Sequence, residues 1–121
     1  MEPFRELLEE MNAFFEARDW GQFHSPKNIA INLAVESAEV LEHFRWLSEK
    51  ESYALPAAAL EQVGDEMGDV LINLVYLAQK LGIDPLEAAR KKLLKNCQRY
   101  PVAACKGKNL KYTAYESSEG V

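Results

Sequence analysis

Apolar residues recur at spacings of three and four along most of the chain, and no stretch alternates apolar with polar. That period belongs to helices packed along one stripe and gives no support for a sheet. Pro3 can open a first helix, in which Phe4, Leu7, Leu8, Met11, Phe14 and Phe15 keep the period until residues 18–21. Ser25 reads as an N-cap with Pro26 at the first helical position. The second helix then runs to about Leu47 along Ile29, Leu33, Val40, Phe44 and Leu47. The polar segment 48–55 reads as a loop. Pro56 opens a third helix that reaches Leu81, where Gly82 stops it. Asp84-Pro85-Leu86-Glu87 has a capping-box pattern and starts a fourth helix, ending near Gln98 before Tyr100-Pro101. The expected fold is an all-α four-helix bundle over residues 1–101. Residues 102–121 carry few large apolar groups and read as a short extended or disordered tail, one that packs on a neighbouring subunit if anywhere.

Length and charge narrow the function classes. A chain of 121 residues fits one domain. Lys and Arg number 14 against 19 Asp and Glu, a net charge of −5, which argues against nucleic acid as a partner. The longest apolar run, residues 70–78, is interrupted by Asn73 and falls well short of the ~20 residues that span a bilayer. The acidic start, Met1 to Glu6, lacks the basic and apolar regions of a signal peptide. Cys97 and Cys105 make neither a disulfide framework nor a zinc quartet. The expectation is a soluble cytoplasmic protein with no membrane partner.

The acids are placed unusually. Glu36 falls inside the apolar stripe of the second helix, with Glu39 one turn on and His43 one turn beyond that. On the third helix Glu66, Asp69 and Asn73 follow at three and four residues, beside the stripe Val63, Met67, Val70, Leu74 and Leu77. Each acid pair projects from one helix face, and the two helices can oppose each other. Acid pairs at this spacing are common on solvated faces, so spacing alone is a weak motif. A buried, uncompensated carboxylate costs several kcal/mol, and four would not stay ionised together without cations. Oxygen-only donors favour Mg²⁺, with Mn²⁺ as the alternative. A di-iron bundle would need two Glu-x-x-His motifs, and neither His24 nor His43 follows a Glu by three.

Glu36-x-x-Glu39 followed by Glu66-x-x-Asp69 resembles the signature of the MazG-type all-α nucleoside triphosphate pyrophosphohydrolases. The flanking segments are similar to the dCTP pyrophosphatase-like branch of that family. They are residues 18–24 (RDWGQFH), 42–46 (EHFRW), 69–72 (DVLI), Asn96-x-x-Arg99-Tyr100-Pro101 and 111–113 (KYT). The resemblance covers residues 5 to about 113, in order. It implies hydrolysis of a nucleoside triphosphate to the monophosphate and pyrophosphate, with Glu36, Glu39, Glu66 and Asp69 holding Mg²⁺ and Glu39 as the base that activates water. It also implies substrate contacts from Trp20, His24, Trp46, Asn73, Lys92, Asn96, Arg99 and Tyr100. Each of these has a plainer reading as well: core or interface packing for Trp20 and Trp46, a loop contact for His24, bundle closure for Tyr100, and a solvated basic face for Lys92, Asn96 and Arg99. The branch has a histidine and a tyrosine where this chain has Met11 and Asn73, at positions near the base pocket.

Residues 69–81 are apolar nearly all round, and such a helix must be enclosed. Only three other helices are expected within the chain. Gly64 and Gly68, each costing about 1 kcal/mol inside a helix, would admit a close neighbour. A homo-oligomer is therefore expected, a tetramer in preference to a dimer, as the resemblance also implies. The rival to an enzyme is a non-catalytic nucleotide-binding or helical interaction module on the same fold.

Overall fold

The computed structural model describes residues 1–111, 113 and 114, and every regular element among them is helical. A 3-10 turn at Glu2–Phe4 leads into α1, Arg5–Ala17. The chain turns through Asp19, whose φ is 53°, and a second 3-10 turn, Gly21–Phe23. Ser25 caps α2, Pro26–Glu42, by accepting a hydrogen bond from the Asn28 N–H at 3.1 Å, with Pro26 at the start of the helix. A short α3 spans Glu49–Ser52, and α4 runs 25 residues from Ala57 to Leu81. Gly82 ends α4 in the left-handed region at φ 66°, a conformation glycine adopts at little cost, and the next N–H, from Ile83, closes on the Ala78 carbonyl. Then come α5, Pro85–Arg99, and α6, Val102–Cys105. The four long helices α1, α2, α4 and α5 are the four expected.

Three details differ from the expectation. The second helix stops at Glu42, because the backbone tightens there: the N–H groups of His43 and Phe44 reach back three residues to Val40 and Leu41. Phe44 and Leu47 keep the apolar spacing beyond that point without being helical. The expected loop at 48–55 contains α3, built on a reciprocal capping box: Ser48 Oγ accepts from Glu51 N–H at 3.1 Å, and Glu51 Oε1 accepts from Ser48 N–H at 2.9 Å. The Ser48 N–H, with the Ser48 hydroxyl beside it, also holds the Glu51 carboxyl below its usual range. The expected tail begins with the helical turn α6; Tyr112 and residues 115–121 of it lie outside the described residues.

The chain divides into two compact units, Met1–Pro85 and Leu86 onward. The first is organised by α2 and α4, which make its most extensive helix pairing. Its core joins Leu8 and Met11 of α1, Ile29 of α2, and Val75 and Tyr76 of α4. Ile29 and Val75 are completely enclosed. Phe15, Ile72 and Leu77 pack against them. The Met1 ammonium meets Asp84 Oδ2 at 2.7 Å, tying the start of this unit to its end. The second unit carries α5 and α6.

Enclosure of α4 by the other described residues of the first unit is incomplete. Met67, Leu71 and Leu74 are exposed, and with Ser37, Val40 and Val70 they line an apolar groove of about 340 Å³. Among the described residues, nothing beyond the chain neighbours and the nearby α4 backbone lies within 4 Å of the place a Cβ would take at Gly64 or Gly68. The close neighbour expected at those glycines is not supplied by the described part of this chain.

Candidate active site

The early part of α2 packs on the late part of α4, at Ile29 with Val75 and Tyr76, while the late part of α2 meets the middle of α4. The two helices are therefore antiparallel, and side chains one turn apart on one are matched by side chains one turn apart on the other. At one level Glu36, Glu39 and Glu66 converge, with one carboxylate oxygen from each lying within 4.8 Å of the others. Asp69 is not part of that trio of oxygens, but its charge acts on Glu36. One turn further along lie Asn32 and Asn73, and beyond them Ile29 and Tyr76.

Glu36 is the strained member. Its Oε2 is buried without a hydrogen-bond partner among the described residues. Burial first, then the adjoining Glu39 carboxylate, then the charges of Asp69 and Glu66, push its pKa up to about 7. Glu66 is raised as well, chiefly by Glu39, while His43, whose Nε2 lies 3.8 Å from Glu66 Oε1, opposes the shift. An orphaned carboxylate oxygen inside an all-oxygen cluster is the donor set a hard divalent cation satisfies. The residues present thus fit the expected metal.

A cavity of about 450 Å³ lies in the first unit, and Asp69 is the member of the acid group that lines it. Its walls are Leu7, Glu10, Met11, Phe14 and Phe15 from α1, Ile29 and Asn32 from α2, and Asp69, Ile72, Asn73 and Tyr76 from α4. Trp20 and His24, from the connection between α1 and α2, complete it. Its inner corner is three rings: Phe15 stacks on Tyr76 at 4.8 Å, and His24 sits edge-on to both. His24 Nδ1 and the Tyr76 hydroxyl share a 3.0 Å hydrogen bond. Burial and the charge of Lys80 hold the imidazole below its usual range, favouring the neutral ring. Trp20 meets Phe14 edge-to-face at 5.7 Å, and the Arg18 guanidinium covers the Phe14 ring at 3.7 Å.

Of the residues singled out from sequence, the structure gathers Glu36, Glu39, Glu66 and Asp69 at one end and puts Trp20, His24, Met11 and Asn73 on the cavity wall. Trp46 is not on that wall: it lies in the turn after α2 with 83% of its surface exposed. Lys92, Asn96 and Arg99 belong to the second unit, at helical spacing on α5, and Tyr100 follows them, its N–H bonded to the Asn96 carbonyl. Sequence reasoning missed Glu10 and Asn32 and took Phe14 and Phe15 only as core. Asn32 had a usable signal, since it sits four residues before Glu36 and must share its helix face.

The comparisons with known proteins agree with this geometry. Residues 29–114 match the MazG-like family. Mouse dCTP pyrophosphatase 1 is 40% identical over 115 residues, which are 93% of this chain and 68% of the mouse protein. The human dCTP pyrophosphatase 1 is 36% identical over the same shares. The crystal structure of a pyrophosphatase from Archaeoglobus fulgidus superposes with a TM-score of 0.76 at 37% identity, covering 81% of this chain and 92% of that one. Fold and acid-ended cavity define an all-α nucleoside triphosphate pyrophosphohydrolase. The chain belongs to the MazG-like family.

Proposed function

We propose that this chain carries out Mg²⁺-dependent hydrolysis of a deoxynucleoside triphosphate, dCTP or a related or modified deoxynucleotide, to the monophosphate and pyrophosphate, and so cleanses the nucleotide pool of the cytoplasm. The observation that carries it is the buried Glu36 oxygen, without a hydrogen-bond partner among the described residues, in a trio of converging acids one helical turn from Asp69 on the wall of an aromatic cavity. The names of the relatives support the substrate.

Glu36, Glu39, Glu66 and Asp69 would hold the metal, with Mn²⁺ as a substitute for Mg²⁺. When bound, the metal offsets triphosphate charge and polarises the phosphorus. Four acids alone would repel a polyanion, so the site is competent only when loaded. Glu39 takes the proton of the attacking water as the α–β phosphoanhydride bond breaks, and pyrophosphate departs. Trp20 offers a ring face for the base, and His24, locked to Tyr76, shapes the inner corner. Lys92, Asn96, Arg99 and Tyr100 are assigned to phosphate contacts, as the family resemblance implies. Trp46, exposed on its own chain, fits a base-flanking role at a subunit interface. A homo-oligomer, tetramer in preference to dimer, is supported by the apolar groove of α2 and α4 and the uncovered Gly64 and Gly68.

Incubation of the purified protein with Mg²⁺ and dCTP, followed by ion-exchange chromatography, tests the reading. Stoichiometric dCMP and pyrophosphate are expected. Release of dCDP and orthophosphate, in enzyme free of contaminating pyrophosphatase, would overturn it.

A further inference from the structure

We propose that His43 is a further metal ligand: a divalent cation held at Glu66 takes His43 Nε2 as a nitrogen donor, and the acid group therefore ranks a transition ion such as Mn²⁺ above Mg²⁺. The inference rests on the pyrophosphohydrolase reading above, because it takes Glu36, Glu39, Glu66 and Asp69 to hold a divalent cation.

His43 follows Glu39 by one turn, at the point where α2 ends. Because α4 runs antiparallel, this end of the seam leads away from Asn32 and Asn73. Asp69 is on the cavity wall and His43 is not. A donor placed here leaves the cavity side of the ion to the nucleotide. The end of α2 also suits a cation, since the last carbonyls of a helix carry partial negative charge.

The distance separates a ligand from a hydrogen-bond partner. His43 Nε2 lies 3.8 Å from Glu66 Oε1, with both side chains largely buried. An N–H···O hydrogen bond is shorter, about 2.7–3.2 Å. Two donors on one ion fit better. Imidazole nitrogen and carboxylate oxygen each sit about 2.0–2.2 Å from a metal such as Zn²⁺, so the pair stand roughly 3–4 Å apart. Among the described residues Glu66 is the one side-chain partner of the His43 ring. The other imidazole is committed elsewhere, since His24 Nδ1 shares its hydrogen bond with the Tyr76 hydroxyl.

The donor type sets the preference. Mg²⁺ takes oxygen ligands and gives up its waters reluctantly, whereas imidazole suits the transition series. Oxygen donors alone serve Mg²⁺ and Mn²⁺ alike. A nitrogen added at the edge of the acid trio tightens the second and does little for the first.

The test loads the full chain, without nucleotide and in a nitrogen-free buffer, with one equivalent of Mn²⁺ and reads it by pulsed electron paramagnetic resonance. The wild type should show modulation from a directly bound nitrogen, and His43→Leu should lose it. In binding titrations His43→Leu should weaken Mn²⁺ by about tenfold or more, while Mg²⁺, measured by competition, changes by less than about threefold. His43→Gln should lose the modulation in the same way, and it decides the matter if His43→Leu fails to fold. Bound Mn²⁺ without nitrogen modulation in the wild type, or modulation kept in either variant, would overturn the proposal. So would equal tightening of both ions in His43→Leu, which is the mark of a mere counter-charge to Glu66 removed. Each of these results leaves pyrophosphohydrolysis standing. A wild-type chain that binds no Mn²⁺ and leaves dCTP intact with Mg²⁺ would instead bring down the underlying reading, and this proposal with it.

Discussion

Glu36 occupies a helix position that the apolar period assigns to a hydrophobe, and it is surrounded by three other acids. Its pKa of about 7 means that the metal-free folded chain keeps a proton there which the unfolded chain, with an ordinary value of 4.5, has released. Between those values the native state binds more protons than the unfolded one, so stability falls as pH rises through that window. Thermal melts in the presence of a chelator should show the midpoint dropping from about pH 4.5 to about pH 7. Glu36→Gln should flatten that fall and melt higher at the alkaline end, while Mg²⁺ should restore the wild type there. The same variant, and Asp69→Asn, should lose at least about 100-fold in turnover with circular dichroism unchanged, since each keeps its size but gives up a charge that the proposed function assigns to the metal. Near-normal activity in either would remove that residue from the site.

At the scale of elements, helix starts were more legible than helix ends. Ser25-Pro26 names the start of α2 because a hydroxyl and a ring are physically suited to it, and Gly82 names the stop of α4 because the chain needs a positive φ there. The end of α2 was misread because Phe44 and Leu47 keep an apolar spacing that a tight turn can also satisfy. The box at Ser48 and Glu51 was legible but sits in a polar segment too short to suggest a helix. The acids of the site could be read from their conflict with an apolar stripe. Asn32 was legible only through its place one turn before Glu36, and Glu10 was not legible at all, because a polar residue flanking a stripe looks like a solvated one until a neighbouring helix is in place. The cap on α2 gives an element-scale prediction. Ser25→Ala leaves one N–H at the helix start without its partner and should cost about 1 kcal/mol in urea unfolding. A loss near zero would show that the 3-10 turn before it suffices.

For the whole molecule, the exposed side of α2 and α4 is the feature that a lone protomer leaves unexplained. Light scattering at micromolar concentration should give a mass near four times 13.7 kDa. Leu71→Asp, which puts a charge into the groove at an exposed residue outside the buried core, should shift the mass toward that of one protomer. A wild-type mass near 13.7 kDa with activity retained would sink the oligomer. The antiparallel match of α2 and α4 also limits how the gene can drift. A codon gained or lost between Ile29 and Glu36 would swing every later side chain of α2 by about 100°, carrying Glu36 and Glu39 off the face that meets Glu66 while Ile29 stayed locked on Val75. Insertions of about a full turn or none at all are the lengths that segment can tolerate, whereas the connection from His43 to Pro56 is free of that arithmetic.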